Sequence, residues 1–267
     1  MIQNPVTPLT VHDLAALKRR GEKISCLTAY DASFSALIDH IGIDIMLVGD
    51  SLGMVVQGHD TTLPVTITDM VYHSRCVSLA RQRSFVMADL PFMSYTTPAL
   101  AAKNAARLMQ QGGAQMVKLE GTRVDIVRFL VDQGIPVCGH LGLLPQMINQ
   151  LGAYKVQGKT PDEAEKIRLD AHLLQQAGAS LLVLECVPAD LAATISSELA
   201  IPVIGIGAGV GCDGQVLVLQ DMLNIGIGKR PRFSKDFMQE ADSIADALRA
   251  YHLAVKQATF PSSQHSF

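Results

Sequence analysis

The chain contains no tryptophan, and aromatic residues make up only 5% of its 267 positions. Its core must therefore be assembled from Leu, Val, Ile, Ala and Met, the side chains that fill barrel interiors. No uninterrupted apolar run reaches the roughly 18 residues that suit a membrane span. The opening MIQNPVTPLTVHDL has no basic stretch followed by an apolar one, so no secretory signal is expected. These absences point to a cytoplasmic protein with no membrane partner. Strong charge is missing too: the net charge is −3, which gives no reason to expect a nucleic-acid partner. The short basic clusters Lys18-Arg19-Arg20, Arg81-Gln82-Arg83 and Lys229-Arg230 read as solvated surface. The five cysteines are odd in number and form no CxxC. Cys26, Cys138 and Cys186 sit in strand-like runs, which favours buried reduced thiols over disulfides or zinc. Walker A, GxSxG and HExxH patterns are all absent.

What is present is an alternation. Buried-type strands are expected at 24–29, 43–48, 84–91, 114–121, 136–141, 180–187 and 202–205, with helices between them. Helix starts are marked by Thr10, Asp31, Thr66, Thr97 with Pro98, and the Thr160/Glu163 capping box with Pro161. Residues 214–223 fit either an eighth strand or a helix start. Ser234 is expected to cap a C-terminal helix within 235–257, and the tail 258–267 to run extended. About eight β/α units in this length favour a single (β/α)8 TIM barrel domain over 1–267. A short N-terminal arm and helix, and a C-terminal helix with a tail, would flank it.

The chemistry is expected at the strand ends. Asp50, Asp89, Glu120, His140 and Glu185 end five successive strands, and in a barrel those ends share one face. Any single Asp there is more often a cap, as read for Asp31 and Asp69, but five in series are hard to explain that way. Strands lie about 4.8 Å apart, so carboxylates on three neighbours can converge. They repel one another unless a cation sits among them. Oxygen ligands favour a hard cation, Mg²⁺ before Mn²⁺. Lys118 and Glu120, two apart, face the same side, and Lys118 needs an anion such as a substrate oxyanion. His140 is divided between a supporting role and a structural one. His59 and Asp60 are equally compatible with function and turn chemistry. Gly53 reads as a break after Ser51. The run GIGAGVGCDG, 205–214, contains GxGxxG but lies too late in the chain for a dinucleotide fingerprint. It reads as room for a ligand to approach the backbone.

VGDSLGMVVQGHDTTLPVT, MADLPFMSY, MVKLEG, PVCGHLGLLPQ, AYKVQGK, LLVLECVP, IPVIGIGAG with CDGQVLV, and the closing HSF occur in that order. From about residue 24 onward the chain resembles the ketopantoate hydroxymethyltransferase family. Small departures lie at Ala153 and at Val210-Gly211, away from the carboxylates. The resemblance implies a barrel of the phosphoenolpyruvate/pyruvate-like superfamily, assembled as a homodecamer. It implies hydroxymethyl transfer from 5,10-methylenetetrahydrofolate to 3-methyl-2-oxobutanoate through a Mg²⁺-stabilised enolate. The product would be 2-dehydropantoate, in pantothenate biosynthesis. It further implies Asp50, Asp89 and Glu120 as Mg²⁺ ligands, Asp50, Ser51, Asp89 and Lys118 as substrate contacts, and Glu185 as proton acceptor. Residues 142–159 and the glycine run are expected to cover the pterin. Two alternatives stay open here: another Mg²⁺-dependent 2-oxo acid lyase or mutase of that superfamily, and a non-catalytic metabolite-binding barrel.

Overall fold

Eight parallel strands pair in sequence order and close on themselves. They are β1 (Ile24–Thr28), β2 (Ile45–Val48), β3 (Phe85–Asp89), β4 (Met116–Glu120), β5 (Val137–Gly142), β6 (Leu181–Glu185), β7 (Val203–Ile206) and β8 (Gly214–Leu217). The structure, a computed structural model, describes residues 7–267. Residues 1–6 of the expected arm lie outside the described residues. The helices are α1 (Val11–Arg19), α2 (Ala32–Ile41), α3 (Leu52–Val55), α4 (Ile67–Ala80), α5 (Pro98–Gln110), α6 (Val124–Asp132), α7 (Ile148–Leu151), α8 (Pro161–Gln176), α9 (Ala189–Glu198), α10 (Leu219–Met222) and α11 (Ile244–Lys256). Among the described residues no helix is long and apolar enough to cross a membrane.

Helix starts follow the expected caps. Thr10 with Asp13, Thr66 with Asp69 and Thr160 with Glu163 form capping boxes, and Asp31 and Thr97 cap α2 and α5. Each satisfies amide groups that the first turn leaves without partners.

The strands bury both faces, and parity decides which core each residue joins. Ile24, Cys26, Ile45, Leu47, Phe85 and Met87 cluster with Leu14 and Leu17 of α1, which closes the barrel's N-terminal end. The intervening Leu27, Met46, Val48, Val86 and Ala88 pack outward against the helices. Each large apolar side chain so buried contributes about 1.5–3 kcal/mol. Continuing the inward parity upward, the apolar layers give way to Asp89, Lys118, Glu120, His140 and Glu185. That change of residue type along one face places the site.

Several local expectations need correction. Ser234 is buried and caps nothing; Ser243 caps α11, accepting from the amide of Asp246. Between them Phe237 wedges edge-to-face against Tyr251 and Phe260, which holds this segment out of a helix. The tail folds back instead of running extended: Ser263–His265 makes a 3-10 turn, and the Phe267 carbonyl accepts from the amide of Ala189. Residues 214–223 hold both readings, β8 and then α10. Lys18 is not solvated surface. Its ammonium donates to Asp213 at 2.7 Å and to the carbonyls of Ser196 and Ile201. Arg83 likewise pairs with buried Asp44. Gly53 lies within α3, where a Cβ would meet Val65 Cγ2 at 2.6 Å.

Candidate active site

Gly49 follows β2, and a Cβ there would lie 2.8 Å from Ser51 Oγ. The resulting tight turn brings the amide of Asp50 to donate to Asp89 Oδ2 at 3.0 Å. Ser51 Oγ pairs with the Tyr30 hydroxyl at 2.9 Å. Strand register sets Asp89 beside Lys118 and Glu120 beside His140. Lys118 Nζ donates to Asp89 Oδ1 at 2.7 Å, with both side chains almost fully buried. Burial acts against the charge on Lys118, but Asp89, Asp50 and Glu120 outweigh it and hold the ammonium above its ordinary pKa. Asp50 moves the other way. Burial, then repulsion from Asp89 and Glu120, pushes its carboxyl well above the usual range, against the pull of Lys118 and Gln146.

His140 stands between two acids. Its Nδ1 lies 3.5 Å from Glu120 Oε1 and its Nε2 3.2 Å from Glu185 Oε2, and neither contact has good hydrogen-bond geometry. Burial and Lys118 lower its pKa, but Glu120 and Glu185 prevail and raise it to about 9. Glu185 is partly open, at 14% side-chain exposure, while His140 is at 2%. Cys186 follows it at φ 48°, an uncommon conformation for a residue with a Cβ. Gly142 makes room: at φ 88°, a Cβ there would collide with the Glu185 carbonyl.

The expected residues thus share one mouth, except that His59 and Asp60 lie exposed in the loop between α3 and α4. Among the described residues, no three His, Cys, Asp or Glu side chains form a ready metal cluster. The carboxylates act on one another but do not meet at a point, because Gln146 and Lys118 also reach into the space they share.

The family model for ketopantoate hydroxymethyltransferase matches residues 8–263. The 3-methyl-2-oxobutanoate hydroxymethyltransferase of Alkalilimnicola ehrlichii is 56% identical over 262 residues, covering 97% of this chain and 95% of that protein. The chain belongs to the ketopantoate hydroxymethyltransferase family. The Nitrosococcus oceani protein of the same name is also 56% identical, over 97% of this chain and 99% of its own. Solved structures with the same fold are more distant. Phosphoenolpyruvate phosphomutase from Streptomyces platensis subsp. rosaceus superposes with a TM-score of 0.61 at 11% identity, over 81% of this chain and 83% of its own. A 2,3-dimethylmalate lyase, described as a PEP mutase/isocitrate lyase superfamily member, gives 0.58 at 15% identity, over 78% of each chain.

In this hydroxymethyltransferase-family chain, three contributors went unread in the sequence. Gln146 lies in the 3-10 turn Pro145–Met147 and donates from Nε2 to Asp50 Oδ2 at 2.8 Å. Tyr95 donates its hydroxyl to Gln146 Oε1 at 2.5 Å. Tyr154 overhangs the mouth, and its hydroxyl lies 4.0 Å from Met54 Sδ. Gln146 and Tyr154 do fall in the family motifs PVCGHLGLLPQ and AYKVQGK, and Tyr95 in MADLPFMSY, the one signal that could have found them. The glycine run, by contrast, is filled by the chain itself. Cβ atoms at Gly209 and Gly211 would lie 2.5 and 2.6 Å from those of Ala189 and Ala193 on α9. Those glycines admit a helix, not a ligand.

A hard divalent cation fits this donor set. The candidate ligands are all oxygen, and the excess of negative charge is already visible in the raised carboxyl of Asp50.

Proposed function

We propose that this chain transfers a hydroxymethyl group from 5,10-methylenetetrahydrofolate to 3-methyl-2-oxobutanoate, giving 2-dehydropantoate as the first step of pantothenate biosynthesis. The reading is carried by one observation: the buried row Asp89, Lys118, Glu120 and His140, with the partly open Glu185 beside it, inward-facing at one mouth, in a chain of this family. Asp50, Asp89 and Glu120 would hold Mg²⁺, with Mn²⁺ as a substitute. A phosphonopyruvate hydrolase of similar fold was solved with oxalate and Mg²⁺, which supports the choice of metal and of an α-oxo acid.

When bound, the cation supplies Lewis acidity to the keto group. The protein supplies the rest. Lys118, kept charged by Asp89, offers a cation to the oxygen on which charge develops. Asp50, Ser51 and Asp89 orient the oxo acid. Glu185 takes the C3 proton, and His140 supports its carboxylate. The deprotonated C3 forms a bond to the methylene carbon delivered by the folate; the methylene's bond to the folate nitrogen then breaks, water supplies the hydroxyl, and tetrahydrofolate leaves with the proton. A cavity of about 490 Å³ reaches Glu120 and is lined by Phe92, Met147, Gln157 and Lys166, among others. It is the route proposed for the pterin, so of the two segments expected to cover the pterin only 142–159 is retained. Leu79, at 77% exposure on α4, and Leu169 on α8 give the barrel apolar surface to bury in a homo-oligomer, here a cytoplasmic decamer.

The test is exchange of the C3 proton of 3-methyl-2-oxobutanoate in D₂O, with and without Mg²⁺, followed by addition of methylenetetrahydrofolate. Metal-dependent exchange that turns into 2-dehydropantoate formation supports the reading. Folded protein that gives neither overturns it.

A further inference from the structure

Gln146 makes more connections than any other neutral side chain at the mouth. Nε2 donates to Asp50 Oδ2 at 2.8 Å and to the Leu90 carbonyl at 3.0 Å. Its Oε1 accepts from the Tyr95 hydroxyl, and its backbone amide donates to Glu120 Oε2 at 3.1 Å. The amide orientation is fixed by this chemistry. A carboxylate and a carbonyl are acceptors only, so the nitrogen must face them. The side chain is buried at 6% exposure, where each lost partner is costly. One residue, on a turn outside the barrel strands, therefore grips a carboxylate from the loop after β2 and another from the end of β4. In each it engages a single oxygen. Asp50 Oδ1 and Glu120 Oε1 accept no hydrogen bond among the described residues.

We infer that Gln146 is a positioning residue for divalent-cation binding. It fixes Asp50 and Glu120 by one oxygen each and leaves the other oxygen of each to the cation. A neutral donor suits this task better than a cation would, because it orients both carboxylates without neutralising them. It also moderates their repulsion when no metal is bound. Tyr95 is the second tie, holding the amide of Gln146 by its carbonyl end.

The inference rests on the cation reading above, and its test separates the two. Mn²⁺ is titrated into the purified full chain and followed by calorimetry and by electron paramagnetic resonance, at a temperature where melting curves show every variant folded. Gln146→Met keeps the length and removes the side-chain donor to Asp50 and the Leu90 carbonyl while the backbone amide stays on Glu120, and it should weaken Mn²⁺ by about ten-fold or more, the usual effect of losing a residue that orients a ligand. Its kcat should recover as Mg²⁺ is raised. Tyr95→Phe should give a smaller loss of the same kind. A lower melting temperature with unchanged Mn²⁺ affinity in Gln146→Met would make the role merely structural and overturn the inference. If Gln146→Met does not fold, Tyr95→Phe decides, and unchanged affinity there overturns it. A parent protein that binds no Mn²⁺ overturns the cation reading itself, and the inference with it.

Discussion

His140 Nε2 and Glu185 Oε2 lie 3.2 Å apart, one almost sealed and the other open to the mouth. The open member of this pair is thus the carboxylate. Glu185→Gln should lower C3 exchange by about 10²–10⁴-fold, the usual share of a general base. Mn²⁺ binding should stay within a few-fold of the parent, since Gln preserves the shape. Near-normal exchange in D₂O would remove Glu185 from the role.

Lys118 is a buried positive charge facing Asp89, Asp50 and Glu120. Lys118→Met should leave Asp89 buried without its partner and cost about 3–5 kcal/mol in urea unfolding. Adding Asp89→Asn should restore part of that loss. A single variant as stable as the parent would mean that the pair carries little of the fold's stability.

Gly142 gives way to the Glu185 carbonyl at a backbone angle that favours glycine. Gly142→Ala should displace the Glu185 backbone and reduce turnover by about 10–100-fold, as a shift near 1 Å can do. Metal affinity should hardly change. Steady-state kinetics beside a Mn²⁺ titration distinguish this from general damage.

Asp221, on α10, is pushed up from 3.8 to about 6 by burial, with Arg230 pulling the other way. Between those values the folded chain binds more protons there than the unfolded chain does. Stability from this group therefore falls as pH rises through the window, and its full cost stands above about 6. Asp221→Asn should raise the melting temperature at pH 7.5 by about 3 °C, as expected for about 1 kcal/mol in a chain of this size. It should do nothing at pH 4. Equal shifts at both pH values would contradict the assignment.

Much of this was legible because a barrel strand encodes its own surroundings. Lys118 and Glu120 stand two apart in an otherwise apolar run, and only an inward mouth accommodates both. The caps at Thr66 and Thr160 were legible for a similar reason, since their partners lie three residues away. Gln146 was not, because its partners Asp50 and Glu120 are 96 and 26 residues distant and reach it only through the closed sheet. Ser234 misled because cap chemistry is common, whereas the packing of Phe237 against Tyr251 that keeps this segment irregular is a tertiary event. The glycine run misled for a related reason. Glycine records that something comes close, and the nearby Ala189 and Ala193 of α9 were as good an answer as a ligand.

At the barrel's opposite rim, Asp44 binds Lys256 and Arg83, and burial notwithstanding its carboxyl stays below the ordinary range. There the buried carboxylate has two cations in contact, whereas at the mouth near Asp50 negative charge is in excess. Between the two ends lie apolar layers that include Ile24, Ile45, Leu47, Phe85 and Met87. Changes at the two ends should therefore be independent in their effects on stability. A chain built this way can exchange its reactive groups while the rim that secures the fold is left as it was.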